Sequence, residues 1–381
     1  MSIGLGQLIN WGVLYYAFGV LLVPVETALN LPQWVVAGAF SLSLLISAGF
    51  APAIGRWIDR GHGPAAMVWG GIAAALLLAL WAAFPNLTTM YIAWTGLGAC
   101  MAATLYEPAF AIVGRGFPQL NDRLRALALV TMFGGLASTV FLPLVAVLVT
   151  RVGWRGAVVA LAIAMLLSTA LVWWFVPADD HLLEDHVDPE TPDASPGRPA
   201  GFGVVLAAFA SASFAHAALT TTLVAALAER GVSTTTAAFL GSSMGLMQLP
   251  GRALMMHGRL AASPGVLLIV SLALLGSGML VLTGAGTTIV IGVGFALFAG
   301  GAGLATLVRP YLVQTEFSVG RAGYLNGLLA RAQQLARAAA PVVAVTIGSS
   351  LGYRWLYGLL ALQFAGLAYA WRRSSRKTRY P

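Results

Sequence analysis

The chain has little charge and almost no cysteine. Charged residues make up 9% of its 381 residues and hydrophobic residues 59%, whereas a water-soluble domain carries about 25% charged residues. This balance excludes a water-soluble globule and places the chain in a lipid bilayer. The single cysteine, Cys100, excludes an internal disulfide and most thiolate metal sites. The sequence also has no phosphate-binding loop and no cluster of metal ligands, so we expect no ATP, metal ion or other cofactor.

Long apolar runs fill the sequence instead. A helix needs roughly 20 apolar residues to cross about 30 Å of hydrocarbon, and runs such as 73–78 lack the alternation of a barrel strand. The sequence therefore predicts an all-α integral membrane protein with twelve transmembrane helices. The predicted spans are 3–29, 34–54, 66–84, 88–113, 125–149, 155–177, 201–227, 234–250, 262–283, 288–313, 322–348 and 353–371.

An acidic segment divides the chain. Residues 178–200 contain seven of the thirteen acidic residues, and a segment with so little apolar surface does not fold by itself. We therefore predict a cytoplasmic linker at 178–200. It would separate a six-helix bundle at 1–177 from a second one at 201–371, and a basic cytoplasmic tail would follow at 372–381.

The two predicted bundles share sequence motifs in the same order. The first is Thr-Leu-Tyr-Glu-Pro at 104–108, which recurs as Thr-Leu-Val-Arg-Pro at 306–310. The other pairs are Gly55-Arg56 with Gly251-Arg252, Pro143 with Pro341, and Gly153-Trp154-Arg155 with Gly352-Tyr353-Arg354. Such a repeat is typical of transporters built from two pseudo-symmetric halves around a central site.

The positive charge has a one-sided distribution. With the N-terminus inside, most Lys and Arg residues fall in predicted cytoplasmic segments, and only Arg151, Arg155, Arg230 and Arg354 fall outside. This bias follows the positive-inside rule, so we expect both termini to be cytoplasmic. The net charge of +8 then indicates topology and attraction to the lipid surface, and no nucleic-acid partner is expected.

The loop after the second predicted span carries a family resemblance. It reads Gly55-Arg56-Trp57-Ile58-Asp59-Arg60-Gly61, which resembles the G-x-x-x-D-R-x-G pattern of the major facilitator superfamily, although His62-Gly63 departs from the usual ending. The resemblance covers essentially the whole chain. It implies that superfamily's fold, a monomer, and a gating role for Gly55, Asp59 and Arg60.

A narrower resemblance concerns four motifs. The sequences at 105–108, 117–118, 125–128 and 153–155 are similar to those of bacterial relatives of monocarboxylate and oxalate/formate transporters. This resemblance implies a multi-pass protein of the bacterial inner membrane with a small organic anion as substrate.

Four charged residues lie well inside the predicted spans: Glu107, Arg309, Arg331 and Arg337. A charge at the bilayer centre costs roughly 2.5–3.5 kcal/mol on insertion scales, so it persists where it faces a partner or an aqueous cavity. The superfamily resemblance places Glu107 and Arg309 on cavity-lining helices, and each precedes a proline that permits a local bend. The pair is either a fixed interdomain salt bridge or a switch in which Glu107 carries the coupling proton.

Positively charged candidates for substrate binding outnumber the acid. Three arginines lie well inside the predicted spans, Arg309, Arg331 and Arg337, but only one acidic residue, Glu107. The guanidinium group is a preferred partner of carboxylates. Gln334 is three residues from both Arg331 and Arg337, so it can share a helix surface with either. Arginines that snorkel to an interface are the alternative. Polar and aromatic residues that either bind substrate or simply pack complete the candidates: Asn10, Tyr15, Tyr16 and His216.

These observations predict a secondary active transporter that moves a small organic anion, expected to be a carboxylate, by proton-coupled symport with alternating access. The alternative is a proton-driven efflux pump for hydrophobic or cationic compounds, in which Glu107 would compete for the cation. No enzyme is expected, because the lone cysteine and scattered histidines offer no nucleophile with a positioned base.

Overall fold

The computed structural model describes residues 1–117, 119–176, 201–228, 230–232, 240, 243–250, 263–284, 287–317 and 322–377. These residues form helices, with no strand among them. Each predicted span that lies wholly in the described ranges coincides with helix, except that the span 88–113 is interrupted at Leu105. Several predictions fall outside those ranges: the linker at 178–200, the repeat partner Gly251-Arg252, the end of the tail at 378–381, and parts of the spans 155–177, 234–250 and 262–283.

Internal contacts group the chain into two units, Met1–Asp188 with Gly320–Arg331, and Pro189–Val319 with Ala332–Pro381. The first unit contains the helices Ser2–Trp11, Ala17–Leu29, Gln33–Trp57, Gly63–Ala83, Leu87–Thr104, Tyr106–Gly116 and Leu120–Phe175, with π-helical turns at Gly12–Tyr16 and Ile58–His62. The second contains Phe202–Ala228, Pro264–Thr283, Thr288–Leu312, the π-helical turn Val313–Phe317 and Tyr353–Lys377. The helix Ala322–Leu351 is divided between the units, because its first residues contact the loop at Asp59.

Seven helical stretches of the described residues are long and apolar enough to cross a bilayer. They are Ser2–Leu29, Val35–Ala83, Leu87–Gly116, Asn121–Phe175, Phe202–Leu223, Pro264–Thr283 and Thr288–Phe317. Two of these stretches each cover two predicted spans. Within Leu120–Phe175, Gly153 has a φ of 73°, and Gly352 has a φ of 95° between the last two helices. Glycine adopts this left-handed conformation without strain, so the repeated Gly-aromatic-Arg motif marks a turn in both copies.

Aromatic side chains fill the core of the first unit. Trp81 and Trp94 are fully buried, and their rings meet edge to face with centroids 5.9 Å apart. Phe18 contacts Trp94 in the same manner at 4.7 Å and stacks on Phe40 at 4.8 Å. Such ring pairs add about 0.5–1.5 kcal/mol each beyond the area they bury, which fixes the helices Ala17–Leu29 and Leu87–Thr104 against each other.

Close glycine contacts join two helices of the second unit. The helices Pro264–Thr283 and Thr288–Leu312 approach so closely that a Cβ on Gly278 would lie 2.5 Å from the backbone nitrogen of Phe298 and 2.7 Å from the carbonyl oxygen of Gly294. A Cβ on Gly301 would lie 2.8 Å from the nitrogen of Leu275. Small residues allow this backbone approach where no hydrophobic effect drives helices together inside lipid.

Candidate functional site

The helix that carries Glu107 is broken just before it. Leu87–Thr104 ends, Leu105 has the non-helical angles φ −79° and ψ −146°, and Tyr106–Gly116 begins. Pro108 has no N–H, so the carbonyl of Thr104, four residues earlier, loses its intrahelical donor. Glu107 stands in the first turn of the new helix and is 8% exposed. A carboxylate is stabilised there by the positive end of the helix dipole.

Two buried amides replace the missing donor. Gln7 Nε2 donates to the carbonyl oxygens of Thr104 at 2.8 Å and Leu105 at 3.1 Å, and Asn10 Nδ2 donates to Thr104 at 3.0 Å. Ser168 Oγ donates to Asn10 Oδ1 at 2.7 Å. Asn10, which was predicted to bind substrate, is therefore hydrogen-bonded to the backbone of the broken helix.

Tyr15 and Tyr16 belong to an aromatic cluster beside this break. Both lie in the π-helical turn that follows Trp11. The centre of the Trp11 ring is 5.4 Å from that of Tyr15 and 6.5 Å from that of Tyr16. Trp11 also contacts Tyr106, the residue before Glu107, at 4.9 Å. The two tyrosines are partly buried, so each presents one face to the cluster and keeps some accessible surface.

Arg309 is held by polar side chains of its own unit. It is 7% exposed, and Nη1 donates to Gln333 Oε1. Gln333 Nε2 in turn donates to Ser213 Oγ at 3.0 Å, which links three helices. Gln333 is neutral, so this contact orients the guanidinium without cancelling its charge. His216 lies one turn after Ser213 and is partly buried, and its backbone carbonyl accepts a hydrogen bond from Thr220 Oγ1 at 2.9 Å.

The structure separates Arg331 from Arg337. Arg337 is partly buried, and its Nη1 donates to Gln334 Oε1 at 3.5 Å. Arg331 is exposed, and the exposed residues Leu335 and Val342 follow it at helical spacing. Because residues four apart share a helix face, Arg331 lies on an apolar exposed face, whereas Gln334 and Arg337 lie on the buried side.

The predicted gating loop, residues 55–61, is hydrogen-bonded to the start of the helix Ala322–Leu351. Asp59 Oδ1 accepts a hydrogen bond from the backbone N–H of Gly323 at 2.6 Å, and Oδ2 accepts one from Tyr324 at 2.7 Å. Both donors belong to the first turn of Ala322–Leu351, where N–H groups have no intrahelical partner. A carboxylate at this position also meets the positive end of the helix dipole. Arg60, the next residue, is exposed.

Glycines allow the loop and the helix to come so close. A Cβ on Gly55 would lie 2.8 Å from the carbonyl carbon of Gly323 and 3.0 Å from Cα of Tyr324. The guanidinium carbon of Arg56 lies 5.5 Å from the centre of the Tyr324 ring, within cation–π range. Arg115 Nη2 donates to the carbonyls of Ile58 at 2.7 Å and Asp59 at 2.9 Å, so the helix Tyr106–Gly116 also contributes hydrogen bonds to the loop.

The comparison with protein families matches the Major Facilitator Superfamily over residues 3–341. The chain belongs to this superfamily. Its membrane-embedded helices and its transporter class, predicted above, are thereby confirmed. The comparison with curated proteins found no match. The narrower resemblance to bacterial monocarboxylate transporters stays a prediction.

Solved structures of several transporters share the fold of this superfamily member. The human organic anion transporter MFSD10 (TETRAN) has a TM-score of 0.78 at 18% identity, with 97% of this chain and 98% of that one covered. FucP, the E. coli fucose:proton symporter, was solved in an outward conformation and gives a TM-score of 0.77 at 15% identity, covering 98% of both chains. The proton:xylose symporter XylE gives 0.72 at 14% identity, with 97% and 94% covered. At these identities the similarity shows the fold alone.

Three residues near the two ionisable groups of this superfamily member were not predicted from the sequence. Gln7 and Ser168 hydrogen-bond at the helix break before Glu107, and Gln333 accepts from Arg309. The available signal was polarity itself, because Gln7 and Asn10 stand three residues apart in an otherwise apolar helix and therefore share a face. Which carbonyl they bind depends on another helix, and one helix's spacing contains no information about that partner.

Proposed function

We propose that this chain is a secondary active transporter that moves a small organic anion by coupling it to protons. The observation that carries the proposal is the pair of buried ionisable side chains, Glu107 and Arg309, at matching positions of the internal repeat. Burial of charge inside a bilayer protein is costly and marks ion and substrate pathways. One copy supplies a group that can take up a proton, and the other supplies a permanent cation.

The permanent cations favour an anionic substrate. Arg309 donates to the side chain of Gln333, and Arg337 donates to that of Gln334, and both of these amide partners are neutral. From residue 201 onward the sequence contains only two acidic residues, Glu229 and Glu316. A planar guanidinium binds a carboxylate through two parallel hydrogen bonds. A small carboxylate is therefore the substrate class that we assign, and MFSD10, described as an organic anion transporter, supports this assignment.

Glu107 is the group that we assign to the proton. A carboxylate in a low-dielectric site is stabilised by protonation unless a cation or hydrogen-bond donors hold it ionised. FucP and XylE, both described as proton symporters, support proton coupling on this fold. Movement between two conformations would change the surroundings of Glu107 and so couple its proton to substrate binding.

Asp59 and Gly55 are assigned to a gate on the cytoplasmic side. The two hydrogen bonds from Asp59 to the first turn of Ala322–Leu351 form a contact that is either fully made or lost, because both donors belong to one rigid helix end. Tyr15, Tyr16 and His216 are assigned to the substrate's remaining surface. Arg331, on the exposed face, is left out of the binding group.

The test is transport by the purified protein in proteoliposomes. A thermal-shift screen against organic acids, amines and drugs at two pH values first finds a ligand, since a ligand stabilises the state it binds. We expect acids to stabilise the protein, and a response to amines or drugs alone would instead favour the efflux alternative. Uptake of the best acid is then measured with and without an inward proton gradient.

Three variants separate the assigned roles. Glu107→Gln should abolish accumulation driven by the proton gradient while counterflow of substrate continues. Arg309→Ala should weaken substrate binding by at least tenfold, since hydrogen bonds to charged groups contribute about 1.5–3 kcal/mol. Arg331→Ala, on the exposed face of its helix, is the matched control and should bind substrate as the unaltered protein does. Intact gradient-driven accumulation in Glu107→Gln would remove the proton role, and unchanged affinity in Arg309→Ala would remove the binding role.

A further inference from the structure

Three buried polar side chains surround the helix break that precedes Glu107. Gln7 is 0% exposed, and Asn10 and Ser168 are each 2% exposed. A buried polar group lowers stability unless it is hydrogen-bonded, so each of these side chains needs a partner. They come from two helices, Ser2–Trp11 and Leu120–Phe175, and converge on a third.

Their partner is the backbone group that Pro108 leaves free. A proline at 108 supplies no N–H to the carbonyl of Thr104, and in a membrane protein side chains of neighbouring helices satisfy such freed groups. Gln7 and Asn10 both donate to this carbonyl, and Gln7 also donates to that of Leu105. Gln7 Oε1 is buried and has no hydrogen-bond partner among the described residues, so the donors of this amide are what hold it in place.

Neighbouring side chains and glycines pack closely around the hydrogen-bonded group of Gln7, Asn10 and the Thr104 carbonyl. Ser168 Oγ lies 2.7 Å from Asn10 Oδ1, which turns the Nδ2 donor toward Thr104. Gly6 leaves room for Ser168, since a Cβ there would lie 3.3 Å from Oγ. Gly70 faces the break from the helix Gly63–Ala83, and a Cβ there would lie 2.8 Å from Cγ2 of Thr104. The break is therefore held by close packing as well as by hydrogen bonds.

We propose that Gln7, Asn10 and Ser168 are positioning residues for Glu107. Their hydrogen bonds fix the two carbonyls at the break and thereby the direction in which Tyr106–Gly116 leaves Leu87–Thr104. That direction sets the position of Glu107, which lies in the first turn after the break. The proton role of Glu107 rests on the proposed function, whereas the hydrogen-bonding arrangement does not depend on it.

A double-mutant cycle between the amides and the proline tests the arrangement. Asn10→Leu and Gln7→Met remove the donors with little change in side-chain size, and Pro108→Ala restores an N–H that can reach the Thr104 carbonyl. We expect Asn10→Leu to slow gradient-driven uptake about tenfold alone but less than about threefold in the Pro108→Ala background, because contacting groups are non-additive. Melting temperatures in detergent should show the same non-additivity.

Ser43→Ala is the matched control. Ser43 is fully buried in the same unit, and its hydroxyl donates at 2.7 Å to the carbonyl of Phe40 within its own helix. Its effect on melting temperature and uptake should be the same with or without Pro108→Ala, since distant sites are additive. Equal non-additivity for Ser43 and Asn10 would overturn the inference.

A purely structural role and a positioning role differ in the proton dependence of uptake. If the amides place Glu107, Asn10→Leu should shift the proton concentration for half-maximal uptake by about tenfold, equivalent to about 1.4 kcal/mol, whereas Ser43→Ala should leave it unchanged. An unshifted midpoint overturns the positioning role, and additive melting temperatures overturn the hydrogen-bonding arrangement. Should Glu107→Gln itself retain the full proton dependence, the proposed function fails, and the melting cycle still decides the arrangement.

Discussion

Replacing Gly55 with alanine should weaken the contact between the gating loop and the helix Ala322–Leu351. The added Cβ would lie 2.8 Å from the carbonyl carbon of Gly323 and 3.0 Å from Cα of Tyr324, against 3.4–4 Å for an ordinary contact. The obstructing atoms are backbone, so no side chain can rotate away. The two segments must separate by about 0.5–1 Å, and overpacking of this kind costs about 1–3 kcal/mol.

Gly49→Ala is the matched control because Gly49 lies in the same helix, Gln33–Trp57, and a Cβ added there would have nothing within 4 Å. Both substitutions gain roughly 1 kcal/mol of helix propensity, so the difference between them isolates the contact. At roughly 2–4 °C per kcal/mol for domains of 150–250 residues, Gly55→Ala should melt several degrees below Gly49→Ala at one scan rate.

The same pair of variants tests the gate itself. Separation of the segments stretches the bonds from Asp59 to Gly323 and Tyr324, so Gly55→Ala should also change the rate of uptake in proteoliposomes, whereas Gly49→Ala should not. A melting temperature for Gly55→Ala equal to or above that of Gly49→Ala would refute the close contact on which the gating assignment depends.

Three further substitutions test other contacts by the same melting assay. Asp59→Asn keeps the side-chain size but removes the charge at the helix N-terminus and replaces one of the two accepting oxygens with an NH2 group that cannot accept, so it should cost about 1–3 kcal/mol; an unchanged melting temperature would contradict the contribution of this contact. Arg155 Nε donates to the carbonyl of Ala82 at 2.9 Å, near the end of Gly63–Ala83, so Arg155→Met should cost about 0.3–1 kcal/mol, and the exposed Arg354 is the control that should change little. Gly278→Ala should melt below Gly292→Ala, because a Cβ meets backbone at Gly278 and open space at Gly292; equal temperatures would contradict the glycine packing of the second unit.

The positions of the helices were predictable because a bilayer leaves few choices. Backbone groups in hydrocarbon must be paired within the segment, so long apolar runs such as Pro264–Thr283 become helices wherever they occur. The glycine of each Gly-aromatic-Arg motif was also informative, since Gly153 and Gly352 both adopt positive φ. The breaks and caps were less predictable, because they depend on partners from distant parts of the chain.

The site residues show the limit of spacing arguments. Gln334 was chosen because it stands three residues from both Arg331 and Arg337, yet the structure pairs it with Arg337 and puts Gln333 on Arg309. Spacing along one helix predicts which residues share a face, and Gln334 with Arg337 follows that rule. The partner of Arg309 lies on another helix, where the crossing point selects the residue. Arg331 lies on the exposed face because of the helix rotation, which the sequence pattern alone does not fix.

The two prolines of the repeat show how neighbouring helices decide the outcome of one motif. Pro108 and Pro310 each remove a helical hydrogen bond, and a bend was expected at both. The chain breaks at Leu105 in the first copy, whereas Thr288–Leu312 stays helical through Pro310 and is followed by the π-helical turn Val313–Phe317.

The two copies of the motif differ because the first helix of each half presents different side chains. Asn10 and Gln7 present amide donors that stabilise free carbonyls, so an open break is tolerated on the acid side. Ser213, within a few residues of the position that the repeat matches to Asn10, accepts from Gln333 and so supports the side chain of Arg309 instead. The first helices of the two halves thus make different contacts. The first helix of the N-terminal half holds the backbone beside a titratable acid, and that of the C-terminal half supports, through Gln333, the side chain of a permanent cation, an arrangement that fits the proposed coupling of protons to an anion.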